Sequence, residues 1–230
     1  MNKNEYKKIA YVISAFGLLG LVLVLNFVIR KRVFYIHHYY LNMLLIPFFS
    51  CSGLFLFEIS KRITYNKTNA VIGCIVLVLA DQLTKIYLMY ANNIKYPLFL
   101  ISNWLYIDPQ FNPWGSYIGD LLQTKIPLLG LFELISLPLI YVFYKYCSRK
   151  FIINKSWLQL WFVLCLSGEM CSTIDTFIFG SSYDFITLNG MLKFDIKDYY
   201  LEIAKGCLIV IILDWFTHRI QKLINCRLDR

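Results

Sequence analysis

Six side chains hold most of the chemical potential of this sequence: Asp81, Lys85, Asp175, Asp184, Asp195 and Asp198. Asp81 and Lys85 stand four residues apart in an apolar run, so a helix puts them on one face where they can pair. A pair of that kind inside a membrane is either a structural ion pair or part of a site. Asp184, Asp195 and Asp198 flank Asn189-Gly190, a dipeptide suited to a two-residue type I′ hairpin. Strict pairing about that turn sets Asp195 opposite Asp184, whereas Asp198 stands where a helix begins. Two carboxyls held close cannot both ionise cheaply, so one retains a proton at a raised pKa. Such a pair can activate water with one member and protonate a leaving amine with the other. The blander reading makes Asp198 a helix N-cap and the remaining acids a solvated rim. His37, His38 and His218 are not spaced for zinc or for a Ser-His or Cys-His arrangement, and the seven cysteines include no CxxC pair. No cofactor or metal is expected.

The elements that must position these acids lie in a bilayer. The chain of 230 residues is 58% hydrophobic and 16% charged. Residues 9–29 and 39–57 carry no charge at all, and runs of about 18 or more read as membrane-spanning helices. The first run is too long for a signal-peptide core, and Arg30-Lys31-Arg32 stands where a cleavage site would be. The fold expected is an all-α polytopic membrane protein. Its six transmembrane helices fall at roughly 9–29, 39–58, 68–90, 125–146, 157–177 and 199–217, with a small extracytoplasmic β-layer or hairpin from segments 97–118 and 183–196. Acidic residues occupy the last four helices, so residues 1–67 read as a two-helix extension and 68–230 as the chemical part.

The net charge of +9 sits in loops between apolar runs, the pattern of a cytoplasmic Lys/Arg excess rather than of a nucleic-acid surface. Segments 59–68, 145–155 and the tail after 217 fall on one side. Strict alternation then puts Arg30-Lys31-Arg32 on the other, against the rule. Glu133 and Glu169 are expected to find a structural partner such as Lys205. Trp104, Trp114, Tyr96, Tyr106 and Tyr117 suggest an interfacial aromatic belt.

The order of motifs resembles the prolipoprotein signal peptidases (signal peptidase II) over roughly residues 68–217. Asp81-Gln82-Leu83-Thr84-Lys85 is similar to that family's D-Q-x-T/S-K. Asn112 and Gly115 resemble its N-x-G loop, with one residue more between them. Asp175 falls on the acid of G-N-x-x-D-R, Asp184-Phe185 on V-D-F, and Phe194 to Asp198 on F-N-x-A-D. The chain departs from the pattern at Ser172 and Asp195 (Asn in the family), at Thr176 (Arg) and at Lys197 (Ala). The resemblance implies an aspartic endopeptidase with Asp184 and Asp198 as catalytic dyad. Asp81, Lys85, Asn112, Gly115, Ser172 and Asp175 would support them and the substrate. It further implies a multi-pass protein of the bacterial cytoplasmic membrane with its site at the extracytoplasmic face. Its partners would be membrane lipid and the signal peptide of a prolipoprotein bearing a diacylglyceryl-cysteine, with no nucleic acid. The departures leave a non-catalytic relative that binds lipoprotein or lipid as the alternative. A transporter using Asp81, Glu133 and Glu169 as a polar pathway is a third reading.

Overall fold

The computed structural model describes residues 3–29, 42–62, 66–91, 95–101, 104–112, 126–150, 155–188 and 192–228. Among them the chain forms helices α1 (Lys3–Ile29), α2 (Leu45–Arg62), α3 (Lys67–Tyr90), α4 (Ile126–Lys150), α5 (Lys155–Ile174) and α6 (Ile196–Leu228). Strands β1 (Leu98–Ile101) and β2 (Leu105–Asn112) fall between α3 and α4. A π turn (Asp175–Phe179), β3 (Ser182–Leu188) and β4 (Leu192–Phe194) fall between α5 and α6. Among the described residues four stretches are long and apolar enough to cross a membrane: Lys8–Leu25, Lys67–Tyr90, Gly130–Arg149 and Lys155–Phe179. Outward-facing Val71, Ile72, Ile75, Val76 and Leu79 of α3 are exposed, as side chains meeting acyl chains would be. Several boundaries differ from expectation: α1 begins at Lys3 rather than 9, and α4 ends at Lys150 rather than 146. Helix α2 begins at Leu45 rather than 39, after a turn at Met43-Leu44, and α6 runs to Leu228 rather than 217. Lys and Arg are good helix formers, so the basic tail simply continues the helix.

Helix α5 is the centre of the bundle. It packs against α6, α4 and α3, while α1 packs on α2 and α6. The core between them holds Phe16, Phe49, Trp157, Trp161, Tyr200 and Cys207. Small residues let the helices close, as membrane helix packing requires. The fully buried Phe16 ring lies where Gly53 of α2 and Gly206 of α6 lack a Cβ; one added at either would stand 2.6 Å from a ring carbon. The described cysteines are free.

The expected β-layer is a four-stranded antiparallel sheet in the order β1-β2-β3-β4. Its β3–β4 register, Ile186↔Phe194 to Leu188↔Leu192, corrects the two-residue hairpin. Three residues, 189–191, separate the strands; Asn189-Gly190 lies outside the described residues. One extra residue flips strand parity, so Asp195 is not opposite Asp184 in a ladder.

Candidate active site

Proline has no N–H to give a ladder, so inside a sheet it belongs at an edge or a bulge. Pro109 lies in β2, a central strand, and the β2–β3 register shifts between Ile107 and Gln110. The shift pairs Asn112 with Ser182 and Gln110 with Asp184. Residues opposite one another share a face, so Asn112, Ser182 and Asp184 point the same way; without the bulge Asn112 would point to the other face. Asn112 Nδ2 donates to Asp184 Oδ2 at 2.9 Å, and Ser182 Oγ donates to Asp184 Oδ1 at 2.7 Å.

The start of α6 supplies the second acid. Asp195 Oδ1 accepts from the Asp198 N–H at 3.1 Å, and Asp198 Oδ2 accepts from the Asp195 N–H at 3.2 Å. This reciprocal pattern is a capping box built from two aspartates. Asp195, not Asp198, is therefore the N-cap, and Asp198 stands in the first helical turn. Asp184, Asp195 and Asp198 each offer an oxygen within 4.8 Å of the others.

Beneath them is a buried charge network. Lys85 Nζ reaches Asp81 at 2.7 Å, Asp175 at 2.6 Å and Asp195 at 2.6 Å, with both helix partners fully enclosed. Gln82 Nε2 donates to Asp175 Oδ1 at 3.0 Å, and the Lys197 N–H donates to Asp81 Oδ1 at 3.1 Å. Lys197 Nζ contacts Asp195, Asp175 at 3.2 Å and Ser182 Oγ at 2.7 Å. The left-handed turn at Gly180 (φ +67°) ends the π turn that carries Asp175 and returns the chain into β3.

Two triads, Asp81–Asp175–Asp195 and Asp184–Asp195–Asp198, have the spacing that a cation could use. In each, lysine ammonium against Asp195 supplies the positive charge. Ahead of the apolar stretch of α6, burial pushes the Asp198 carboxyl up. Lys197 opposes this and Asp195 and Asp184 add to it, bringing it to about 8 from an ordinary 3.8. Burial also opposes ionisation of Asp195, but the charges and hydrogen bonds of Lys197 and Lys85 together hold it below the ordinary range. Lys197 is disfavoured by burial, yet the surrounding aspartates raise it well above the usual lysine value.

Asp81, Lys85, Asn112, Asp175, Asp184 and Asp198 thus meet in one region, whereas Gly115 lies outside the described residues. Ser172 goes elsewhere: its Oγ donates to Glu133 Oε1 at 2.5 Å, and Thr176 Oγ1 donates to Glu133 Oε2 at 2.8 Å. The two departures from the family pattern on α5 and its π turn therefore share one partner on α4. Glu169 accepts from Ser136 at 2.9 Å, and Lys205 pairs with Glu202 at 2.5 Å rather than with either buried glutamate. Asp81 lies in the lysine network and not with those glutamates. Trp104 is buried, donating to Asn42 Oδ1 at 2.9 Å and packing on Leu188, so it is not part of an interfacial belt. Trp114 and Tyr117 lie outside the described residues.

Sequence reasoning passed over Gln82, Ser182 and Lys197 as contributors. A lysine in the first turn of a helix runs against the macrodipole, and that anomaly beside three aspartates was a usable signal. Ser182 gave none beyond sharing strand parity with Asp184.

Comparison with known proteins places this geometry. The sequence model of the family described as signal peptidase (SPase) II matches residues 73–215. No curated protein matches the chain. A bacterial membrane enzyme solved by the in meso method at 2.3 Å superposes with a TM-score of 0.53 at 24% identity, covering 65% of this chain and 90% of that one. A second such structure, at 1.9 Å, gives 0.47 and 24%, covering 65% and 94%. The family match spans both lysine-bound helices, the sheet and the start of α6, and this chain belongs to the signal peptidase II family.

Proposed function

We propose that the protein is an aspartic endopeptidase of the bacterial cytoplasmic membrane that removes the signal peptide of lipid-modified prolipoproteins, cutting before the diacylglyceryl-cysteine. Asp184 and Asp198 form its dyad. The observation that carries this reading is their placement: two carboxyls from different elements, with oxygens within 4.8 Å, beside a buried network able to hold them. Family membership at the level of lipoprotein signal peptidase supports the substrate class. In the reaction one carboxylate takes a proton from water as its oxygen adds to the scissile carbonyl carbon. The C–N bond breaks as the other carboxyl gives its proton to the departing amine. Acyl chains and an apolar signal helix stay in the bilayer, so the site belongs at its extracytoplasmic edge. All six helices span, and residues 1–67 form an extension ahead of a four-helix catalytic part, 68–230.

The test is cleavage of a synthetic diacylglyceryl-cysteine peptide by the detergent-purified protein. Asp184→Asn and Asp198→Asn are each expected to abolish cleavage while the protein still purifies folded, with unchanged yield and a retained cooperative thermal transition. Activity surviving in either variant overturns the dyad. Peptide binding without cleavage by the unaltered protein would instead favour a non-catalytic relative, the reading suggested by Ser172, Thr176 and Asp195.

A further inference from the structure

The two carboxyls of the dyad are not equivalent, and the difference traces in part to Lys197, which departs from the family pattern. Lysine has three donors and no acceptor. Lys197 directs them at Asp195, Asp175 and Ser182 Oγ. With its oxygen receiving that hydrogen, the single Ser182 proton is aimed at Asp184 Oδ1, 2.7 Å away. The other oxygen, Oδ2, receives an amide hydrogen from Asn112 at 2.9 Å. Both Asp184 oxygens therefore face donors, and a proton placed on either would displace a hydrogen bond. Asp198 differs: Oδ2 accepts the Asp195 N–H, and among the described residues no side chain donates to Oδ1. A proton there costs no hydrogen bond. Among the described residues, the charged or titratable groups facing Asp184 are Asp195, Lys197 and Asp198 at the start of α6. Behind Lys197 stand Asp175 of the π turn and Asp81 and Lys85 of α3.

We propose that Lys197 and Ser182 are positioning residues that fix the proton of the dyad. The chain Lys197–Ser182–Asp184 keeps Asp184 as the ionised member that takes the proton of water. Asp198 is then the member whose proton leaves with the amine. After C–N cleavage the proton gained by Asp184 passes to Asp198, restoring both. The inference rests on the dyad reading above. It also accounts for position 197: the family pattern has Asn and Ala where this chain has Asp195 and Lys197, two opposite charges in contact. Removing Lys197 alone would leave buried Asp195 and Asp175 short of a partner, so Ser182 is the cleaner handle.

Ser182→Ala is expected to lower kcat on the diacylglyceryl-cysteine peptide roughly tenfold to a hundredfold, the scale of one hydrogen bond to a charged group. KM should stay within about twofold, so that the loss falls on kcat alone. Ser182→Thr, which keeps the hydroxyl, should restore kcat. A folded Ser182→Ala enzyme with unchanged kcat overturns the relay. Asp184→Asn and Asp198→Asn are run alongside. If both are inactive while Ser182→Ala behaves as the parent, the relay fails and the dyad stands; if either aspartate variant cleaves, the dyad itself fails.

Discussion

At the scale of single residues the dominant fact is that five aspartates share two lysines in a region nearly closed to solvent. Removing charge from water is expensive, and such groups persist only when paired and hydrogen-bonded. Lys85 and Lys197 supply that pairing for Asp81, Asp175 and Asp195. Asp198 receives less, and its carboxyl keeps a proton up to about pH 8. Folding raises this pKa above its ordinary 3.8, so between those values the folded state binds a proton that the unfolded chain has shed. Stability is therefore expected to fall as pH rises from about 4 to about 8 through this group, and Asp198→Asn should flatten that slope. Asp195 works with the opposite sign. Its lowered pKa contributes stability above the ordinary value that is lost as pH falls through the folded one. With Asp198 as the acid of the proposed dyad, kcat/KM should also fall above about pH 8, where that carboxyl loses its proton. Denaturant unfolding across pH, with the pH–rate profile, checks both. A profile flat through pH 9 would contradict the protonated Asp198.

At the scale of elements, small irregularities do the positioning. The Pro109 bulge turns Asn112 onto the face of Asp184, a three-residue β3–β4 connection takes Asp195 off the ladder, and the capping box aims Asp198. Each is a one-residue event in a period-two structure, which explains what the sequence did and did not reveal. The apolar runs, the Asp81–Lys85 spacing and the β-favouring segments were legible because they repeat or extend over many residues. The register about Asn189-Gly190 was not, because one residue more or less leaves composition unchanged while reversing every face. The partner of Ser172 and Thr176 was equally hidden: Glu133 lies some forty residues away, and only packing of α4 on α5 joins them. Helix packing makes a prediction of its own. Gly206→Ala would place a methyl 2.6 Å from Phe16 Cε1 and should cost about 1–3 kcal/mol by overpacking. Phe16→Leu should recover part of that loss in the double variant, because the two share one space. Additive losses in unfolding measurements would mean that the slot is not what holds α1 to α6.

At the scale of the whole molecule, two ends differ in chemistry. Asn42, just ahead of α2, binds Trp104 beside the sheet, while Lys61 at the far end of α2 binds Glu5 near the start of α1 at 2.8 Å. The starts of α3 and α5 meet at that same far end, where Gln159 Nε2 donates to the Asn66 carbonyl at 3.0 Å. Lys61, Arg62, Lys67 and Lys155 therefore gather at one end of the bundle, and the acid network with the sheet occupies the other. Helix α6 starts in the network and runs away from it, carrying Arg219 toward the basic end. By the Lys/Arg bias that end is expected to be cytoplasmic. Helices α1 and α2 pack as an antiparallel pair on α5 and α6. Strict alternation therefore assigns Arg30-Lys31-Arg32, which lie outside the described residues, to the opposite side, against the rule. Both chain termini are thus expected in the cytoplasm. A fluorescent protein that matures only there should glow when fused to either end, and a thiol label that cannot cross the membrane should reach a cysteine placed at Gln110 from outside. Fluorescence from one terminus alone would mean that α1 and α2 do not both span, and the basic segment would then have to return to the cytoplasmic side.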